Sequence, residues 1–170
     1  NLDLSKAILA LQSWSPLAGR GQVLEVKLKA NNCNKIIHLI DESYNANPSS
    51  VKSSLETLAC IFTSKKGKGE YSRRIAVLGD MLELGFSEIQ EHVNISKFAR
   101  LDKIDKVYCV GSRMKKLFDV LPYSKRGFWT ETAEEMQHVI VNKLKSGDII
   151  MIKGSLSMGM KTIVNKLKNI

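Results

Sequence analysis

Leu4, Ala7, Ile8 and Leu11 recur at helical spacing behind Asp3, and the pattern stops at Ser15-Pro16, where proline turns its predecessor away from the helix. A short helix over 3–13 is predicted. From 23 to 29 the period drops to two, with Val23, Leu24, Val26 and Leu28 set against Glu25, Lys27 and Lys29, which predicts a half-exposed strand. Asn31-Asn32 marks a turn. The run Ile36-Ile37-His38-Leu39-Ile40 then has the β-branched richness of a buried strand. These two strands are expected to pair as a hairpin.

Strand and helix signals alternate from there. Pro48 opens a helix over 49–62 whose Val51, Leu55, Leu58 and Ala59 share one face. A mobile basic loop over 65–69 precedes a strand at 74–78, a loop at 79–85 and a helix over 87–101. A strand at 106–110 ends at Gly111, followed by a helix over 113–120, a short strand at 128–129, a helix over 132–144, a strand at 148–152 and a closing helix over 159–167. Strand, loop and helix repeated about five times demand right-handed crossovers and a parallel sheet covered on both faces. The expected fold is α/β: a doubly wound, Rossmann-like, mostly parallel sheet of about six strands with an antiparallel N-terminal edge strand. Ligands of such sheets sit outside the carboxyl ends of the strands. The informative loops are therefore 41–47, 79–85, 111–113 and 153–159.

Composition narrows the picture. The 170 residues are 44% hydrophobic, the composition of a soluble globular chain, and suffice for one domain burying about 70% of its unfolded surface. Cys33, Cys60 and Cys109 lie far apart without a C-x-x-C pair, so neither a zinc knuckle nor a disulfide framework is expected, and a reducing cytoplasm fits. Apolar runs such as Ile149-Ile150-Met151-Ile152 fall far short of the ~20 residues of a membrane span. The absence of an initiator Met and the opening helix predict a fragment of a longer protein. A net charge of +9 and the run Lys65-Lys66-Gly67-Lys68 raise one alternative, a basic α/β nucleic-acid-binding module. Against it, the cations are spread over many elements, aromatics are only 6%, and no nucleic-acid signature occurs.

The chain lacks a complete catalytic apparatus of a recognisable type. There is no G-x-x-x-x-G-K-[ST], no G-x-G-x-x-G after a strand, no G-x-S-x-G and no H-E-x-x-H. Nothing in sequence brings His38, His92 and His138 together, and each reads as a structural or surface histidine. The stretch Asp41-Glu42-Ser43-Tyr44-Asn45-Ala46-Asn47-Pro48 stands apart, placing two carboxylates, a hydroxyl, a ring and two amides between a strand end and a helix start. Carboxylates there suit a ribose diol, the ring suits a base, and the amides orient polar groups. Equally, Asn47 can be a helix cap and Asp41 a partner of backbone amides.

Several motifs in order resemble the C-terminal domain of the Mur ligases: Gly19-Arg20, then Ile40 through Pro48, then Val77-Leu78-Gly79-Asp80-Met81-Leu82-Glu83-Leu84-Gly85 and His92, then Gly147-Asp148 leading to Lys153-Gly154-Ser155. The Ser-Tyr-Asn-Ala-Asn-Pro and Gly-Asp-Met-Leu-Glu-Leu-Gly versions are similar to the branch that adds D-Ala-D-Ala to UDP-MurNAc-tripeptide in peptidoglycan synthesis. The resemblance implies an ATP-dependent amide ligase working through an acyl phosphate. ATP and Mg2+ would be held mainly by a central P-loop domain outside this chain, and covalently linked upstream domains would be its partners. Residues 1–15 resemble the end of that central domain or its linker, and 16–170 the C-terminal domain, which alone would carry no catalytic residue. By the same resemblance Arg20, Asp41, Glu42, Tyr44, Asn45 and Asn47 would contact ATP, with Asp41 and Glu42 competing for the ribose. Lys153, Gly154 and Ser155 would meet the D-Ala-D-Ala carboxylate. Asp80, Met81 and Glu83 would be site-lining or structural. Two positions depart from the family pattern: Leu156 stands where arginine is usual after Lys-Gly-Ser, and Phe86 replaces a common polar residue.

Overall fold

The computed structural model describes residues 3–12, 14–30, 33–61, 65–66 and 70–169. After helix α1 (Leu4–Gln12), strands β1 (Gln22–Ala30) and β2 (Cys33–Glu42) form the expected antiparallel hairpin. There follow α2 (Pro48–Cys60), β3 (Lys65–Lys66), β4 (Glu70–Tyr71), β5 (Arg74–Gly79), α3 (Glu88–Asn94), β6 (Lys106–Val110) and α4 (Ser112–Val120). The chain closes through β7 (Arg126–Thr130), α5 (Ala133–Lys143), β8 (Ile149–Lys153) and α6 (Lys161–Lys168). The main sheet has the order β1-β2-β8-β5-β6-β7, and every neighbour pair beyond β1-β2 is parallel.

Period-two alternation in the central strands feeds two cores. Ile75, Val77, Tyr108, Val110, Ile150 and Ile152 turn to the face covered by α5 and α6. Ala76, Leu78, Val107, Cys109, Ile149 and Met151 turn to the face of α2 and α4. All twelve are buried, because a strand covered on both faces has no solvent side. Burial also pushes the Cys109 thiol upward, so it stays a protonated core group. At the foot of β8, Arg73 clamps the Asp148 carboxylate with Nε and Nη2 at 2.9 and 2.6 Å. That bond raises the Arg73 guanidinium above its ordinary value.

Four local expectations are corrected. Residues 65–69 are not simply a basic loop: β3 and β4 pair as a small antiparallel ribbon, with 67–69 outside the described residues. The helix expected over 87–101 ends at Asn94 and gives way to 3-10 turns at Ile95–Lys97 and Leu101–Lys103. Phe98, extended at φ −61° and ψ 124°, breaks the run and packs against the core. The closing helix begins at Lys161, after a 3-10 turn over Leu156–Met158. In β2 only Ile37, Leu39 and Ile40 of the apolar run are buried, while Ile36 and His38 are exposed, since α2 packs over β8 and β5. The expected turn at Asn31-Asn32, the end of the helix over 3–13 and Phe62 lie outside the described residues, while α2 already ends at Cys60 with Ile61 extended.

The 79–85 loop is anchored from beneath. Asp80, 2% exposed, accepts from Met114 N at 2.7 Å and Arg113 N at 3.2 Å, capping α4, whose own N-cap Gly111 has no side chain to do so. His92 Nε2 accepts from Met81 N at 2.9 Å, and Nδ1 faces Glu88 O at 2.6 Å, an arrangement met by the neutral Nδ1–H tautomer. Asp80, Met81 and His92 are thus structural, whereas Glu83 is exposed at φ 64°. Gly79, the last residue of β5, and Gly154, just past β8, lie side by side under Met160. A Cβ on Gly154 would lie 2.6 Å from Met160 Cγ and 3.0 Å from Gly79 Cα.

Gly154→Ala is expected to lower stability by about 1–3 kcal/mol through overpacking. His92→Ala, which opens a cavity and strands the Met81 N–H, is expected to cost about 2–4 kcal/mol. Urea unfolding of the chain checks both, and wild-type midpoints would contradict the packing just described.

Candidate functional site

The carboxyl ends of β2 and β8 and the amino end of α2 enclose a cleft of about 310 Å3, lined among others by Arg20, Glu42, Tyr44, Asn45, Asn47 and Lys153. It opens where the strand order predicts a ligand site.

Its walls follow from local backbone chemistry. Past the last hairpin pair, Gln22↔Asp41, the ladder continues irregularly, with Gly21 N donating to Asp41 O at 2.8 Å and Tyr44 N to Gly19 O at 3.1 Å. Gly19 sits at φ 78°, and a Cβ there would be 3.0 Å from Tyr44 N and Cβ, so only glycine allows the two segments to lie so close. This contact brings Arg20 over Tyr44, with the guanidinium carbon 4.0 Å from the ring centroid. One face of the ring expected to stack on a base therefore carries the arginine.

The two carboxylates have different surroundings. Asp41 is 1% exposed, and its Oδ1 accepts from Ser43 N at 3.1 Å and Ser43 Oγ at 2.6 Å. That turn absorbs the Asp41 carboxylate, which does not line the cleft. Glu42 does line it, with 26% side-chain exposure. Asn47 is both cap and wall: its Oδ1 accepts from Ser50 N at 2.8 Å, and Ser50 Oγ accepts from Asn47 N at 3.0 Å. Asn45 Oδ1 accepts from Ala46 N at 2.8 Å.

Lys153 and Ser155 lie beneath these groups. Lys153 is 3% exposed, and its ammonium donates to Glu42 Oε2 at 3.3 Å and Asn45 O at 3.0 Å. Ser155 Oγ accepts from Leu82 N at 2.9 Å and donates to Ala46 O at 3.5 Å, while Ser155 N donates to Asp80 O at 3.0 Å. Leu156, by contrast, is 64% exposed. Gly19, Ala46 and Ser50 also line the cleft. Sequence reasoning missed them as wall residues, although the Asn47-x-x-Ser50 spacing of a capping box was a usable signal for Ser50.

A larger cavity of about 670 Å3 lies on the outer side of α2, floored by Leu55, Ile95 and Phe98 and rimmed by Lys52, Glu56 and Arg100. It shares no lining residue with the smaller cleft, which holds the motif-bearing groups. Among the described residues no cluster of three or more His, Cys, Asp or Glu side chains is arranged to hold a metal ion. Nor is any described helix long and apolar enough to cross a membrane.

Known proteins are similar to this chain over most of its length. The chain is 30% identical over 162 residues to the UDP-N-acetylmuramoyl-tripeptide–D-alanyl-D-alanine ligase of Mycobacterium leprae, covering 89% of this chain and 31% of that protein. It is 30% identical over 150 residues to the enzyme of the same name from Bacillus subtilis, covering 86% and 31%. The chain thus spans about a third of the length of these curated relatives. Among solved structures, MurF ligase from Thermotoga maritima in complex with ADP matches 99% of this chain and 34% of its own, with a TM-score of 0.74 at 21% identity. MurF from Acinetobacter baumannii matches 99% and 34%, with a TM-score of 0.72 at 23% identity. These likenesses establish the fold and do not favour the nucleic-acid-binding alternative. Residues 24–156 match the family model described as Mur ligase, glutamate ligase domain, and the chain belongs to that family.

Proposed function

We propose that this chain is the C-terminal domain of an ATP-dependent ligase that adds D-Ala-D-Ala to UDP-MurNAc-tripeptide in peptidoglycan synthesis. The observation that carries this reading is the cleft that gathers Arg20, Glu42, Tyr44, Asn45 and Asn47 at the strand ends of a Mur ligase domain. The names of the M. leprae and B. subtilis relatives and the ADP complex of the T. maritima protein support it.

In the proposed reaction the γ-phosphoryl of ATP passes to the terminal carboxylate of the tripeptide, releasing ADP. The amine of D-Ala-D-Ala then attacks the acyl carbon and phosphate leaves. This chain's part is to close over the nucleotide. Arg20, an exposed cation fixed on Tyr44, stabilises charge developing on the phosphoryl oxygens. Glu42 receives the ribose hydroxyls, with Asp41 shaping the turn beside it, and Tyr44, Asn45 and Asn47 line the base or sugar. Lys153, Gly154 and Ser155 underlie the same wall.

Mg2+ is assigned mainly to the upstream P-loop domain, and no step here runs through it. Helix α1 suits the end of such an upstream domain or a linker: Leu4, Leu9, Leu11, Trp14 and Leu17 are each more than 60% exposed along this segment. The proposed UDP-linked substrates suit a bacterial cytoplasm.

In the full-length ligase, Arg20→Ala is expected to lower ATP- and D-Ala-D-Ala-dependent phosphate release by about tenfold to a hundredfold. Unchanged release would remove Arg20 from the site. Residues 1–170 alone, given ATP, UDP-MurNAc-tripeptide and D-Ala-D-Ala, are expected to release no phosphate. Turnover by that segment would contradict the division of labour between domains.

A further inference from the structure

We infer that Lys153 is a positioning residue for the nucleotide wall of the cleft and does not read the dipeptide carboxylate, an inference that rests on the function proposed above. The geometry carries it. Glu42 and Lys153 are register partners on adjacent parallel strands, and the lysine side chain ties them at the strand ends. A second N–H of the same ammonium reaches the Asn45 carbonyl, three residues further along the loop. Between those two acceptors the chain turns back on the Asp41 carboxylate through Ser43, which places Tyr44 and, above it, Arg20. One buried ammonium thus fixes both ends of the segment that presents the cleft's ring and its cation.

Charge and access point the same way. An exposed, unpaired cation recruits a free carboxylate most readily, since no existing partner has to be displaced. Lys153 is 3% exposed and already paired with a carboxylate that is 26% exposed. The next polar residue, Ser155, spends its hydroxyl on Leu82 N and Ala46 O, joining the nucleotide wall to the 79–85 loop. The segment 153–155 is therefore a tie beneath two loops. Breaking it loosens Tyr44 and Arg20 before it touches anything on the dipeptide side.

The test is steady-state kinetics of the full-length ligase with Lys153→Met, Glu42→Gln and the double variant, each checked for folding by its melting transition. Lys153→Met is expected to raise KM for ATP about tenfold, the size of one lost charge-assisted hydrogen bond, and to leave KM for D-Ala-D-Ala within about twofold. The double variant is expected to lose less than the sum of the two single losses, since both changes cut one tie while Glu42 also faces the ribose. If Lys153→Met does not fold, Lys153→Arg, which keeps the charge but replaces a point donor with a planar fork, is expected to show the same split. A rise confined to the dipeptide KM, equal rises for both substrates, or additive losses in the double variant would overturn the inference. A wild-type ligase without D-Ala-D-Ala-dependent phosphate release would overturn the proposed function itself, a different failure seen before any variant is made.

Discussion

Burying the Lys153 ammonium at the carboxyl end of β8 is tolerable only because Glu42 and the Asn45 carbonyl receive it, and much of the cleft follows from that requirement. A charge so little exposed needs acceptors held in place, which demands the β2-β8 register that sets Glu42 against Lys153. The same strand end must let β5 approach, so glycines stand at 79 and 154 where Met160 presses on both. Ser155 then reaches Ala46 on one side and Leu82 on the other. The β2-β8 register, glycine placement and loop geometry meet in one crowded corner.

Around that corner the electrostatics are divided by depth. Asp80 and Asp148 are buried and spent on structure, one capping α4 and the other clamped by Arg73. Glu42 and Arg20 remain at the cleft surface, where a polar ligand can exchange partners with them. Such a division keeps structural charges in the floor and exchangeable ones on the wall, which suits the closure over a nucleotide proposed above.

Alternation over 23–29 and short apolar runs in the later strands made the sheet legible, and the 41–48 stretch made the cleft legible, because these signals are local. What escaped was long-range or competitive. Asp80 caps a helix that begins 32 residues later, and His92 supports Met81 across 11 residues, distances over which spacing carries no information. Asp41 and Glu42 were indistinguishable until the Ser43 turn claimed the first. Past Asn94 the helical pattern lost to core packing of Phe98, and β3-β4 pairing was hidden in residues that read as a basic loop. The burial of Lys153 was equally hidden, because the resemblance that drew attention to it carries no information on packing.

The central claim is that the cleft at the ends of β2 and β8 is the nucleotide-facing surface of this domain. Hydrogen–deuterium exchange on the full-length ligase, with and without a non-hydrolysable ATP analogue in the presence of UDP-MurNAc-tripeptide, tests it most directly. The account predicts added protection at residues 19–21 and 42–47, with the outer side of α2 unchanged. Protection confined to the cavity around Leu55, Ile95 and Phe98, or none in residues 19–47, would contradict it.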